Sequence, residues 1–359
     1  MSADYDYGNA RLRVMKTRLL SPRELESLSG AGALPGLIAA LTRTVYQKSV
    51  ESALAHSTGM QCIDAALKSD LVAVIGKLRG FYKEDAGKMI ALFLRAYDIH
   101  NLKAILRGLS SNTPASDIVS VLLPIGELDA NLLGQLARLN NPREVVDLLA
   151  SMSLPFAAPL LNARAEFPGA GVFVMELALD QWRFSEAAKI LKDEADHPDA
   201  FAGALALETD IANALTALRF AQFPAERERL HEQIGNNEIA RLFIQPSRIP
   251  IEALEGASRQ DQVASAVEAL SKSPLAPALR VGLEKYNLSH RLSDLERALK
   301  RYQLKWLAGQ IARDPLGIGV ALGFAALKVN EIGNIRWIAH GVHLGLRADA
   351  IHAGVELLQ

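Results

Sequence analysis

One short pattern recurs three times at intervals of about a third of the chain, and it restricts the fold more than any other feature. Asp98-Ile99-His100-Asn101 leads to Arg107, Asp210-Ile211-Ala212-Asn213 leads to Arg219, and Glu331-Ile332-Gly333-Asn334 leads to His340. Each copy is an acid, then Ile, then Asn at +3, with a basic or imidazole residue at +9. A second pattern, acid-x-x-Leu, lies upstream as Asp64-Ala65-Ala66-Leu67, Glu176-Leu177-Ala178-Leu179 and Glu296-Arg297-Ala298-Leu299. The paired acids stand 34, 34 and 35 residues apart. Successive copies are separated by 112 and 121 residues, which is far longer than a helix-pair repeat and fits a small domain of several helices. The register predicts three related domains over 1–114, 115–226 and 227–359, with breaks near Thr113-Pro114 and Phe223-Pro224.

The fold class follows from spacing. Apolar residues recur at three and four, as in Leu12, Met15, Leu19; Ile90, Phe93, Leu94; Val145, Leu148, Leu149; and Val263, Val267, Leu270. Strand-type alternation is missing, aromatic residues are 6%, and prolines interrupt the pattern at Pro124, Pro155 and Pro246. Many helices of ordinary length are expected. The chain reads as all-α.

Helix geometry constrains the repeated residues. In the first copy Ile99, Leu102, Ile105, Leu106 and Leu109 form one apolar stripe, and Gly108 is expected where the helix stops. The acid and the Asn are neighbours on the helix surface, whereas the +9 residue is rotated roughly 180° from the acid. An acid–base bridge within one helix is excluded, so each group must find its partner on another helix, another domain or water. The reading favoured for Asp98, Asn101, Arg107, Asp210, Asn213, Arg219, Glu331, Asn334 and His340 is that they join helices at the edge of the core. The alternative is that they line a functional surface.

A search for chemistry finds little. No Walker A, HExxH, GxSxG or EF-hand pattern occurs. Gly317-Ile318-Gly319-Val320-Ala321-Leu322-Gly323 follows no strand and has the wrong spacing for a dinucleotide fingerprint, so close helix packing is expected there. His340, His343 and His352 lack neighbouring carboxylates or cysteines that would complete a metal site. Catalytic, cofactor and metal residues are therefore given as none. Cys62, the one cysteine, excludes a disulfide framework within the chain and suits a reducing compartment.

Lys plus Arg is 39 and Asp plus Glu is 40, which offers no global pull toward nucleic acid. The basic residues also lack the interleaved aromatics of a single-strand binder. Arg11, Arg13 and Arg18 on the amino-terminal helix are read first as a solvated basic face, the alternative being a partner-facing surface for an acidic protein or for headgroups. The charged start is read as lacking a signal peptide. The longest uncharged apolar run, Leu316 to Leu327, is 12 residues, too short for a bilayer span.

Several of these stretches resemble one family. Asn9-Ala10-Arg11-Leu12-Arg13, with Lys16 and Leu19-Leu20-Ser21, is similar to the amino-terminal helix of the central-stalk C subunit of A-type/V-type rotary ATPases, whose eukaryotic counterpart is the d subunit. Ala96 to Gly108 is the most family-like run, and Glu331-Ile332-Gly333-Asn334-Ile335-Arg336 with Gly341 and Gly345 resembles the family's last repeat. The chain departs at His340, at Ala214 within the apolar stripe, and at Phe220, where the other copies have Gly. The resemblance spans nearly the whole chain. It implies three homologous helical domains in a pseudo-threefold funnel, on the cytoplasmic side of a membrane rotor ring of proteolipid subunits. That funnel receives the central axle and carries torque for H⁺ or Na⁺ transport without hydrolysing anything. A generic all-helical scaffold for other proteins is the alternative.

Overall fold

In a computed structural model, residues 4–167, 171–193, 199–225, 227–229 and 239–358 are described, and no strand occurs among them. The first helices are α1 (Asp6–Lys16), α2 (Pro22–Ser29), α3 (Leu34–Leu41), α4 (Gln47–Leu54), α5 (Gly59–Ile75), α6 (Leu78–Phe81) and α7 (Glu84–Ser110). Then come α8 (Ala115–Val121), α9 (Ala130–Leu136), α10 (Pro142–Ser151), α11 (Ala157–Glu166), α12 (Val172–Asp193) and α13 (Asp199–Gln222). Past a 3-10 turn at Ile239–Leu242 follow α14 (Ile251–Ser258), α15 (Val263–Ala269), α16 (Ala276–Ser289), α17 (Leu292–Arg313), α18 (Gly319–His343) and α19 (Ala348–Ala353).

Short helices begin where local chemistry starts them. Ser21 accepts from the Glu24 N–H while the Glu24 carboxylate accepts from the Ser21 N–H, and Pro22 opens the first turn of α2. Asn141 caps α10 by accepting from the N–H groups of Arg143 and Glu144, again with Pro at the first position. Asp129 caps α9 through the Leu132 N–H.

The chain forms two compact units. One comprises residues 1–94 and 304–359, the other residues 95–303. In the first, α18 packs against α1, α2, α3 and α5, burying Leu12, Tyr46, Ile63, Leu67, Phe324, Ile335 and Ile338. The second holds a core in which Ile99, Leu102, Ile105 and Leu106 of α7 meet Leu133, Leu136, Val145, Leu149, Phe156 and Leu160 of α9 to α11. In the same unit α13 packs on α14 and α15.

The repeated acid occupies the same station each time. Asp98, Asp210 and Glu331 each stand twelve residues before the last residue of α7, α13 and α18. Gly108 does not stop its helix, however, since α7 continues to Ser110. A Cβ at Gly108 would come within 2.5 Å of Ile118, and one at Gly341 within 2.6 Å of Ile351. These glycines let the following short helix lie close. The ends come four residues later, where Asn112 and Gly345 take left-handed conformations (φ 53° and 68°). Thr113 N–H then bonds the Gly108 carbonyl, and Leu346 N–H the Gly341 carbonyl, closing both helices in the same way.

Candidate functional site

The repeated Asn makes one contact three times. Asn101 donates from Nδ2 to the Leu123 carbonyl (2.7 Å) and accepts at Oδ1 from the Leu123 N–H (2.7 Å). Asn213 treats Ile244 identically at 2.9 and 2.7 Å, and Asn334 treats Glu356 identically at 2.8 and 2.9 Å. A side-chain amide thus pairs with both polar groups of one residue in an irregular segment. That residue needs such a partner because it has no helix of its own to satisfy it.

In the first two copies the acid clasps the segment just past the Asn's partner, and in the third it turns to other elements. Asp98 accepts from the N–H groups of Glu127 (2.8 Å) and Leu128 (2.9 Å). Asp210 accepts from Arg248 N–H (2.9 Å), Arg248 Nε (2.6 Å) and the Ser247 hydroxyl (2.9 Å). Glu331 accepts from the Leu20 N–H, the Tyr46 hydroxyl (2.6 Å) and Lys328 Nζ (2.8 Å). Counter-charge differs between them. Asp210 has Arg248 and Glu331 has Lys328, whereas the cation nearest Asp98 in the chain, Arg95, bonds Glu127 at 2.8 Å. Burial pushes the Asp98 carboxyl up to about 6, although its two backbone N–H bonds pull the other way.

Lys328 forms a buried ionic centre in the first unit. Its Nζ lies 2.6 Å from Asp70 Oδ2, a close ion contact without hydrogen-bond alignment. It also donates to Glu331 and to the Tyr46 hydroxyl (2.9 Å), and sits 4.3 Å from the Tyr46 ring centre. Burial, reinforced by the Glu331 charge, pushes the Tyr46 hydroxyl pKa far upward, so the phenol stays a donor.

The +9 residues reach the upstream acids of other copies. Arg107 grips Glu176 through Nε and a terminal nitrogen at 2.5 and 2.6 Å, and Arg219 approaches Glu296 at 4.0 Å. The third copy departs from the +9 rule. Arg336, at +5, bonds Asp64 at 3.0 Å, while His340 is exposed. The links therefore run from copy one to two, two to three and three to one. Beside the first of them Lys103 bonds Asp180 (2.6 Å), and Arg183 grips Glu208 with two bonds of 2.8 Å. Burial raises the Glu208 carboxyl, and the Arg183 guanidinium outweighs it to hold that group below its ordinary range.

Of the amino-terminal basic residues, Arg11 is exposed and lies over the Phe81 ring at 5.5 Å, and Arg18 is exposed. Arg13 donates to the Pro315 carbonyl. Among the described residues no group of three or more His, Cys, Asp and Glu is placed to hold a metal ion.

Sequence reasoning did not single out Lys328, Tyr46 or Asp70, and it named Asn9 and Arg336 only within family-like runs, without a contact for either. Asn9 is buried and joins the Tyr82 hydroxyl (2.8 Å) to the carbonyls of Leu316 (3.1 Å) and Gly317 (3.0 Å). A lysine and an acid three apart in an otherwise apolar helix, Lys328 and Glu331, were a readable signal of a buried pair.

The sequence pattern of the ATP synthase (C/AC39) subunit family matches residues 8–354. The chain belongs to that family. It is 25% identical to the C subunit of the V-type ATP synthase of Deinococcus radiodurans, over 99% of this chain and 92% of that protein. It is 27% identical to the C subunit of the A-type ATP synthase of Haloferax volcanii, over 98% and 97% respectively. The corresponding A-type protein of Methanocaldococcus jannaschii is 23% identical over 98% of this chain and 86% of its own length. The C/AC39 match takes in all three motif copies and both chain regions that build the first unit.

Proposed function

We propose that the chain is the non-catalytic central-stalk subunit of a V-type/A-type rotary ATPase, joining the central axle to the membrane rotor ring. It would transmit torque for H⁺ or Na⁺ transport coupled to ATP synthesis or hydrolysis. The observation that carries this reading is the C/AC39 family match across 8–354, which includes every copy of the repeated motif. The acid–base pairs support it physically. A torque coupler must hold its parts in register, and an acid–base link from each copy to the next adds orientation to the packing between helices. The three-domain division at 1–114, 115–226 and 227–359, and a pseudo-threefold funnel, belong to the same proposal.

Among the described residues no helix is long and apolar enough to cross a membrane. Contact with the membrane would then run through the proteolipid ring, on its cytoplasmic face, and neither nucleic acid nor a cofactor takes part. The test is to tag the chain, solubilise membranes gently and cross-link the isolated complex. Cross-links to both the proteolipid ring and the axle are expected. A chain that copurifies with neither would refute the assignment.

A further inference from the structure

The three motif helices differ in which part of the chain covers them. α7 meets α9 to α11, and α13 packs on α14 and α15, helices that follow soon after in sequence. α18 packs instead on α1, α2, α3 and α5, all within the first 75 residues. These amino-terminal helices stand to α18 as α9 to α12 stand to α7. Leu20, whose N–H meets Glu331, lies two residues before α2, as Leu128, whose N–H meets Asp98, lies two before α9. Tyr46 is buried at the start of α4, as Phe156 is at the start of α11. Asp64 on α5 takes Arg336, as Glu176 on α12 takes Arg107. The third repeat is completed from the opposite part of the sequence.

That arrangement changes the energetics of the joint. Asn101 and Asn213 meet partners 22 and 31 residues on, whereas Glu331 meets Tyr46 and Leu20 across 285 and 311 residues. Short connections keep the first two clasps nearly closed, while the third must be re-formed against the entropy of a much longer loop. The joint is also ionic, since Lys328, Glu331 and Asp70 are all buried there. Opening returns those charges to water, which offsets part of the contact energy lost; apolar packing has no such offset. α1 crosses the joint a second time, where Asn9 and Arg13 donate to the carbonyls of Leu316, Gly317 and Pro315 just ahead of α18.

We propose that the amino-terminal helices α1 to α6 are a clamp on α18, able to open while residues 95–303 stay folded, and that the Lys328 centre is its latch. Closed, the clamp sets Arg336 against Asp64; open, it releases that acid–base link and keeps those of Arg107 and Arg219. With the clamp open, α18 loses the packing that stabilises it, so its amides exchange with water. Such a clamp is independent of the role of the chain in a rotary complex.

The test is native-state hydrogen exchange of the full chain, followed peptide by peptide by mass spectrometry. Peptides of α2 to α5 and of α18 should exchange through one shared opening, ahead of those of α10 and α13 in the second unit. Lys328→Met, which strands the buried Glu331 carboxylate, should raise exchange in the first group about a hundredfold or more. Tyr46→Phe, a milder change that removes one hydrogen bond to that carboxylate, should raise it about tenfold. Both variants should leave α10 and α13 at wild-type rates, and Asn213→Ala should leave α18 at its own. Equal acceleration of α13 and α18 by either latch variant would overturn the proposal, because the chain would then open as a whole. Wild-type exchange of α18 in Tyr46→Phe would also overturn it, as would α18 exchanging in step with α13 rather than with α2 to α5.

Discussion

Replacing Asn213 with Ala deletes two hydrogen bonds and strands both polar groups of Ile244, since Asn213 Nδ2 and Oδ1 serve that residue's carbonyl and N–H at 2.9 and 2.7 Å. Asn213 is 1% exposed and Ile244 4%, so water does not reach these groups without opening the segment. Each stranded group costs about 1–3 kcal/mol, and partial relaxation brings the expected total to roughly 2–4 kcal/mol. Asn213→Asp separates the two bonds. It keeps the acceptor for the Ile244 N–H but sets a carboxylate against the Ile244 carbonyl, so near neutral pH it should cost at least as much as Ala. It should recover in acid, once the carboxyl can donate. Urea denaturation followed by circular dichroism gives the stability, and hydrogen exchange at the Ile244 amide gives the local effect. A loss below about 0.5 kcal/mol with unchanged Ile244 protection would refute the reasoning, because no buried group would then have been stranded.

Lys328→Met leaves the buried Glu331 carboxylate without its cation and takes the same cation from Asp70, and should cost about 3–5 kcal/mol by denaturation. Adding Asp70→Asn should restore part of that loss. Arg336→Ala removes a pair whose side chains are 46% and 47% exposed, so it should cost no more than about 1 kcal/mol and less in high salt. His340→Ala should stay within about 0.5 kcal/mol in the same titrations. Asp98 has a folded pKa raised to about 6, so the wild type loses stability as pH rises through the window from the ordinary carboxylate value to 6. Asp98→Asn lacks that slope, and the stability difference between wild type and variant should shrink from pH 4 to 6.5; a difference that widens would contradict the assignment.

The helical class was legible because apolar spacing of three and four persists through Ile99, Leu102, Ile105 and Leu106, all of which are buried. The threefold motif was legible because each Asn pairs with the N–H and carbonyl of one residue 22 or 31 positions downstream, backbone groups that any sequence supplies. The +9 residue was less legible. Its partner lies on another copy, so its position along the helix is set by tertiary packing, and Arg336 can replace a residue at the His340 station. Gly108 misled for a related reason. A glycine near a helix end signals either termination or close approach, and only Ile118 in place shows that it is the second. The clasp made by Asn9 joins residues about 300 positions apart and has no local signature.

The central claim is that this C/AC39-family chain couples rotation and performs no chemistry. The direct measurement is made on one membrane preparation with the chain deleted and then added back, recording ATP hydrolysis by the catalytic head and ion pumping together. Hydrolysis should survive the deletion, pumping should cease, and adding back the purified chain should restore pumping. Pumping at normal efficiency without the chain, or loss of hydrolysis from a fully assembled head, would contradict the account.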